Sequence, residues 1–193
     1  MNMKRISLFV AMLVISVGAF AQTTWQNDPY HSVLRFSVDH LGIAEVPGHF
    51  SDYTVKVTTS REDFSDAVVE LEVKTASINT RVEMRDDHLK SADFFDVEKY
   101  PTMTFRSKGI KKAGKNKYTL TGDLTLHGVT KPVTVTLEYR GTTENPNANG
   151  APVAGLKVTG EIKRSDFNLG AGFPAPMISD VVKIEAHGEF GKI

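Results

Sequence analysis

The 193-residue sequence contains no cysteine. That absence removes disulfides, thiolate metal sites, cysteine nucleophiles and acylation of a cysteine behind a signal segment, so stability must rest on an apolar core. Net charge is also missing: 23 Lys and Arg stand against 23 Asp and Glu, which gives no electrostatic reason to expect nucleic acid or an anionic membrane surface as a partner. None of the six histidines stands at H-x-x-x-H or H-E-x-x-H spacing, and there is no G-x-S-x-G elbow. The usual sequence marks of a helix-borne metal site and of a serine hydrolase are therefore absent. The one long apolar run is Ile6 to Phe20, preceded by Lys4 and Arg5 and closed by Ala19-Phe20-Ala21. It is shorter than the roughly 20 residues of a spanning helix and ends in small residues, so residues 1–21 are expected to be a cleaved secretory signal peptide, with an uncleaved anchor as the alternative. Loss of those 21 residues, two of them basic, leaves 172 residues with 21 basic and 23 acidic side chains, a formal charge of −2.

What is present is period-2 alternation. Leu34, Phe36 and Val38 alternate with Arg35, Ser37 and Asp39, the signature of a half-buried strand. Similar patterns follow around Tyr53 to Val57, Val69 to Val73, Met103 to Phe105, Tyr118 to Leu126, Val133 to Tyr139, Val153 to Ile162 and Val182 to Ala186. Turn chemistry separates them, at Lys111 to Asn116, at His127-Gly128 and across Thr142 to Pro152, which reads as a hairpin loop. Helix is the minority, with one turn expected near Arg61 to Ser65 and a short helix over Thr80 to Lys90, Thr80 serving as N-cap and Glu83 as its capping-box partner. About eight antiparallel strands in one domain, residues 22–193, must close into a barrel or pair into a sandwich to protect their edges. Small residues such as Gly122, Thr125, Ala154, Gly160 and Ala186, on or beside the apolar faces, are compatible with a lumen and equally with twist and bulge glycines.

Thr80 to Ser107 is the most distinctive stretch. Arg81, Glu83, Arg85, Asp86, Asp87 and His88 precede Phe94-Phe95, and Tyr100-Pro101 forces an extended start to the next strand. A connection this long and this polar is expected to be a lid or a binding segment. Asp86-Asp87-His88 with Ser91 invites an acid-base or nucleophile reading, but neighbouring helical residues point about 100° apart and make no triad. Arg81 and Arg85 share a helix face, and either of them or Arg164 is a candidate for an anionic head group, the alternative being pairing with Asp86, Asp93 or Asp166. His40 and His49 flank a turn and are expected to face each other across it, whereas His31, His127 and His187 read as hydrogen-bonded strand-end residues.

An ordered set of motifs resembles a known family: Asp28-Pro29-Tyr30-His31-Ser32 with Phe36 and His40, Gly48-His49-Phe50, Ile78-Asn79-Thr80 with Arg85-Asp86-Asp87-His88-Leu89, Asp93-Phe94-Phe95-Asp96, Tyr100-Pro101, Gly122 to Thr130, Arg164-Ser165-Asp166-Phe167 and Ser179-Asp180. The chain is similar to YceI-type periplasmic proteins, lipocalin-like barrels that bind polyisoprenoids. The resemblance implies an all-β, eight-stranded antiparallel lipocalin-like barrel with a short helical segment in a long connection, located in the periplasm, without established catalytic chemistry, cofactor or metal. It implies a ligand site among Phe36, His40, Phe50, Arg85, His88, Phe94, Phe95, Met103, Phe105, Arg164 and Phe167. The partner it implies is an isoprenoid of polyprenyl phosphate or quinone type, or another long-chain lipid; the insolubility of such a chain adds an expected transient membrane or lipid-donor contact, and a homodimer is a further expectation. Carriage of fatty acids or fatty amides is the alternative within binding proteins, and a small enzyme acting on a lipid head group the alternative from another class. The segment Gly170 to Met177 is one place where this sequence is expected to be individual, with a loop-level difference in ligand entry.

Overall fold

The computed structural model describes residues 21–193. The expected signal peptide lies outside them except for Ala21. Ten strands and one α-helix, besides three single-turn 3-10 helices, follow in order: β1 (Thr23–His40), β2 (Ala44–Phe50), β3 (Tyr53–Thr59), β4 (Val68–Lys74), β5 (Ile78–Asn79), α1 (Glu83–Lys90), β6 (Thr102–Gly114), β7 (Lys117–Leu126), β8 (Val129–Asn145), β9 (Ala151–Lys163) and β10 (Val181–Lys192). Eight of them close a ring in the order β1-β3-β4-β6-β7-β8-β9-β10, with β10 returning to β1. These are the eight strands read from alternation. Closure leaves no free edge in the ring, which is how an all-antiparallel sheet avoids edge-to-edge pairing.

β1 changes neighbours part-way along, pairing with β3 over Thr23 to Gln26 and with β2 over Leu34 to His40. Between these stretches Asp28 to His31 bulge out opposite β10. The strand β2, with β5 behind it, raises one wall above the ring; its Pro47-Gly48 carries no clean alternation and was not read as a strand. Over Ala44 to Gly48 it has a ladder partner on one side only, where a proline is tolerated. The β8–β9 ladder continues to Asn145–Ala151, so the expected hairpin loop shrinks to five residues, 146–150. At the β7–β8 hairpin His127 and Gly128 both have positive φ, 51° and 74°, the two-residue turn whose twist matches antiparallel strands.

Two further expectations change. Arg61 to Ser65 form turns rather than a helical turn, because Phe64 takes a left-handed backbone (φ 60°) and turns its ring into the base of the barrel. There it stacks on Tyr139 at 4.9 Å and meets Trp25 at 5.5 Å. The helix α1 begins at Glu83 with Val82 as N-cap and no side-chain cap. Thr80 is not available to it, since its hydroxyl donates to Asp86 Oδ1 at 2.5 Å.

Buried residues form two stacked clusters. One, around Trp25, Phe64, Tyr118 and Phe190, seals the base, and the other, around Phe50, Phe94, Phe95, Met103 and Phe167, lies towards the opposite end. That opposite end is the mouth.

Candidate lipid-binding site

A cavity of about 450 Å³ occupies the mouth, and a second of about 120 Å³ lies deeper in the barrel. Leu34, Ile162 and Ile184 border both, so the two form one apolar column. The upper cavity is walled by Leu34, Phe36 and Val38 of β1, Phe50 of β2, Met103 of β6, Leu126 of β7, Ile162 of β9 and Ile184 of β10. Strand alternation puts these side chains inward.

The helix α1 supplies part of the polar lining, beside Arg35 and His40 of β1 and Arg164. Arg85, His88 and Leu89 stand at i, i+3 and i+4 and all border the cavity, as one helix face requires. Arg85 donates from Nε to Thr80 Oγ1 at 2.7 Å and from Nη2 to Thr80 O at 2.8 Å. Thr80 in turn donates from its backbone N and its hydroxyl to buried Asp86. The guanidinium is thus fixed through a threonine relay, without a direct carboxylate partner among the described residues.

Aromatic rings form a collar. Phe36 meets Phe50 at 5.6 Å, and Phe50 meets Phe95 edge-on at 5.7 Å. Across the mouth Phe94 stacks on Phe173 at 4.9 Å, with the His88 ring edge-on to both. Phe36 lies flat against the wall because its neighbour is Gly48: a Cβ there would sit 2.3 Å from Phe36 Cζ. Gly122 does the same for Phe105. Of the small residues read as compatible with a lumen, Gly122 acts indirectly, by giving the Phe105 ring room, Gly160 makes room for Val135, Ala186 borders the lower cavity itself and Ala154 is core. Thr125 faces out, bonded to Thr130.

Of the eleven residues named from sequence, Phe36, His40, Phe50, Arg85, His88, Phe94, Phe95, Met103 and Arg164 border the upper cavity, and Phe105 borders the lower one. Phe167 borders neither and is core. Arg164 is 6 % exposed, and its five N–H groups donate to the carbonyls of Ser179, Leu169, Gly170, Phe173 and Ile178. A guanidinium has five donors, so none remains for a head group. Its partners are carbonyls rather than the carboxylates expected, and its task is to organise the 169–179 loop. That loop supplies Phe173, Met177 and Ile178 to the cavity; the sequence reading tied Gly170 to Met177 to ligand entry but named none of the three as a site residue.

Other expected constellations separate. His40 pairs with Ala44 and His49 with Arg35, so the two imidazoles do not face each other. His88 Nε2 lies 3.0 Å from Asp93 Oδ2, Asp86 is committed to Thr80, and Ser91 Oγ donates to His88 O; no nucleophile–base pair results. His31 sits in the β1 bulge rather than at a strand end, with Nδ1 2.7 Å from Asp28 Oδ2. That hydrogen bond raises the imidazole pKa and lowers the Asp28 carboxyl. In the lower cavity burial pushes the Tyr53 hydroxyl up to about 12.

The upper cavity's ionisable lining is arginine and histidine only, with no Asp or Glu among the described residues. The sequence matches the YceI-like domain over residues 25–190. The chain belongs to the YceI-like family. Its relatives include a UPF0312 protein of Staphylococcus aureus (strain N315), 37% identical over 172 residues that cover 87% of this chain and 97% of the relative. Another, from Photorhabdus laumondii, is 40% identical over 141 residues, 73% of this chain and 72% of that one. Among solved structures, a Campylobacter jejuni YceI protein is 32% identical with a TM-score of 0.72, over 80% of this chain and 90% of that one. Burkholderia cenocepacia BcnA is 27% identical with a TM-score of 0.73, over 85% and 98%. A Saccharophagus degradans domain described as polyisoprenoid-binding and implicated in plant cell wall breakdown shares the fold at 16% identity and a TM-score of 0.65, over 88% and 98%. This YceI-like chain is thus a closed eight-stranded barrel with an apolar interior open at one end.

Proposed function

We propose that this protein is an exported, non-catalytic periplasmic carrier of an isoprenoid lipid, holding the chain in the apolar column and the head group at the mouth. The observation that carries the reading is an apolar cavity whose ionisable lining is wholly basic or imidazole. Such a lining suits an amphiphile with an anionic head, and so favours a polyprenyl phosphate over a neutral quinone. The polyisoprenoid-binding description of a barrel with the same fold supports the ligand class by analogy of fold. Burial is worth about 0.8 kcal/mol per methylene, so a chain of several isoprene units is far too insoluble to be taken from water. The lipid must come from another apolar phase.

Lipid extracted from protein purified from its own host and identified by mass spectrometry tests this directly. An isoprenoid is expected; empty protein that also fails to load from isoprenoid-containing vesicles would sink the idea. Two variants separate tail from head. Phe105→Asp places an unpaired charge beside the lower cavity and should abolish retention of every long chain. Arg85→Ala should weaken an anionic isoprenoid by about 1.5–3 kcal/mol and leave a quinone nearly untouched. Equal losses for both ligands would make Arg85 a support of the rim and nothing more. A fatty acid likewise joins an anionic head to an apolar tail, and competition between acyl and polyprenyl ligands ranks the two.

A further inference from the structure

We infer that the rim of the barrel mouth is a bilayer-docking surface, inserting apolar side chains from three separate segments around the cavity. The inference rests on the lipid-carrier reading and adds the phase with which the mouth exchanges lipid.

Nine large apolar residues are exposed among those described, and six belong to the mouth: Leu41, Ile43, Val82, Met84, Met177 and Val181. Leu41 and Ile43 lie in the β1–β2 turn, between His40 and Val46, which both border the cavity. Val82 and Met84 flank the start of α1, next to the cavity residue Arg85. Met177 borders the cavity itself, and Val181 precedes the cavity residue Val182. Three stretches far apart in sequence therefore bring exposed apolar groups to one opening. Scattered single exposures need no explanation, but a group ringing a cavity marks an interaction site.

The β1–β2 turn adds a second observation. Leu41 has φ 54°, a left-handed conformation that costs a non-glycine residue energy. It is held there by a bond from its N–H to Met177 O at 3.2 Å, while the Ile43 N–H donates to His40 O at 3.1 Å. The fold spends local strain to keep a turn whose leucine is 53 % exposed and whose isoleucine is 86 % exposed. The Ile43 side chain gains little burial in the protein itself, and more than half of Leu41 stays in solvent.

The occupant follows from what crosses the mouth. A prenyl chain that leaves through water loses its burial methylene by methylene, whereas one that passes between two abutting apolar phases does not. A rim seated in the acyl boundary provides that continuity. Charge around the rim is mixed: Arg81 and Arg85 make no ion pair among the described residues, Glu83 is likewise unpaired, and Asp39 and Glu45 share Lys183. Attachment should therefore depend on insertion more than on the charge of the lipid head groups.

The test is flotation of the purified protein with phosphatidylcholine vesicles and with vesicles that also contain phosphatidylglycerol, all free of isoprenoid. The wild type should float with both. The double variant Ile43→Ser/Met84→Ser should lose about tenfold or more on both, while Val68→Ser, an exposed apolar position away from the mouth, should match the wild type. The Ile43 and Met84 side chains are more than four-fifths exposed, so in the double variant thermal melting should be unchanged and retention of isoprenoid in detergent micelles should match the wild type. A wild type that holds isoprenoid but floats with neither vesicle overturns the docking inference. So does a double variant that floats like the wild type, binding only to anionic vesicles that salt abolishes, or a change in oligomeric state showing that the rim seats a second copy. A protein that floats but takes up no isoprenoid instead overturns the carrier reading.

Discussion

At the scale of single residues, the site is shaped by what sits beside a side chain as much as by the side chain itself. Phe36 leaves the cavity open because Gly48 offers no Cβ, so the ring can lie along the wall. Gly48→Ala is therefore expected to drive the ring inward, costing about 1–3 kcal/mol by overpacking and reducing lipid capacity together. Urea denaturation beside lipid loading measures both, and Phe36→Leu in the Gly48→Ala background should recover part of each; a stable variant with full loading would show that the ring has another place to go. Arg164 teaches the converse lesson. An arginine beside an apolar cavity looks like a head-group ligand until its donors are followed, and here all five end on backbone carbonyls. Arg85, with its bonds confined to Thr80, is the guanidinium better placed to meet a ligand.

At the scale of elements, α1 is too short to persist alone, since isolated helices of under about 12 residues are marginal in water. Its stability comes from the relay through Thr80 to Asp86 and from the turns that follow, where Phe95 N donates to Leu89 O and Val97 N to Lys90 O. The opposing loop is tied by Arg164, and the two meet through the Phe94–Phe173 stack. Both rings border the upper cavity. Lipid binding is thus expected to slow amide exchange in Ser91 to Tyr100 and in 169–179, compared in the empty and loaded protein by mass spectrometry. Unchanged exchange in both would make them a fixed cap and move the route for lipid elsewhere on the rim.

At the scale of the whole molecule, the two ends of the barrel are built differently. The base is filled by Trp25, Phe64, Tyr118 and Phe190, and the Tyr118 hydroxyl donates to Asp63 O at 2.8 Å, pinning the plug loop. The mouth keeps its apolar groups around a void. Phe64→Ala should therefore cost about 3–5 kcal/mol in urea denaturation, as for other large-to-small core changes, without altering the preference between anionic and neutral isoprenoids. A shift in head-group preference would mean that the base and the mouth are coupled through the apolar column.

The strands were legible because their signal is local: each ring strand carries its own period-2 alternation, as Leu34-Phe36-Val38 does, but alternation left barrel and sandwich open, and it was the family resemblance that pointed to the barrel that β10 closes onto β1. Residue types also indicated a cysteine-free apolar interior and the importance of Thr80 to Ser107. The strand β2 was hidden, since Pro47-Gly48 breaks alternation and its pairing depends on β1 exchanging β3 for β2 midway. Phe64 was hidden for a related reason, as a left-handed residue in a polar turn has no periodicity to declare which way its ring points. The partners of Arg164, the direct Arg85–Thr80 bond and the gathering of Leu41, Met84 and Met177 at one end lie beyond any single stretch. Hydrogen-bond satisfaction and cavity shape depend on groups brought together across the barrel, so only the closed tertiary structure decides which arginine is free, which ring is core and where the apolar interior opens.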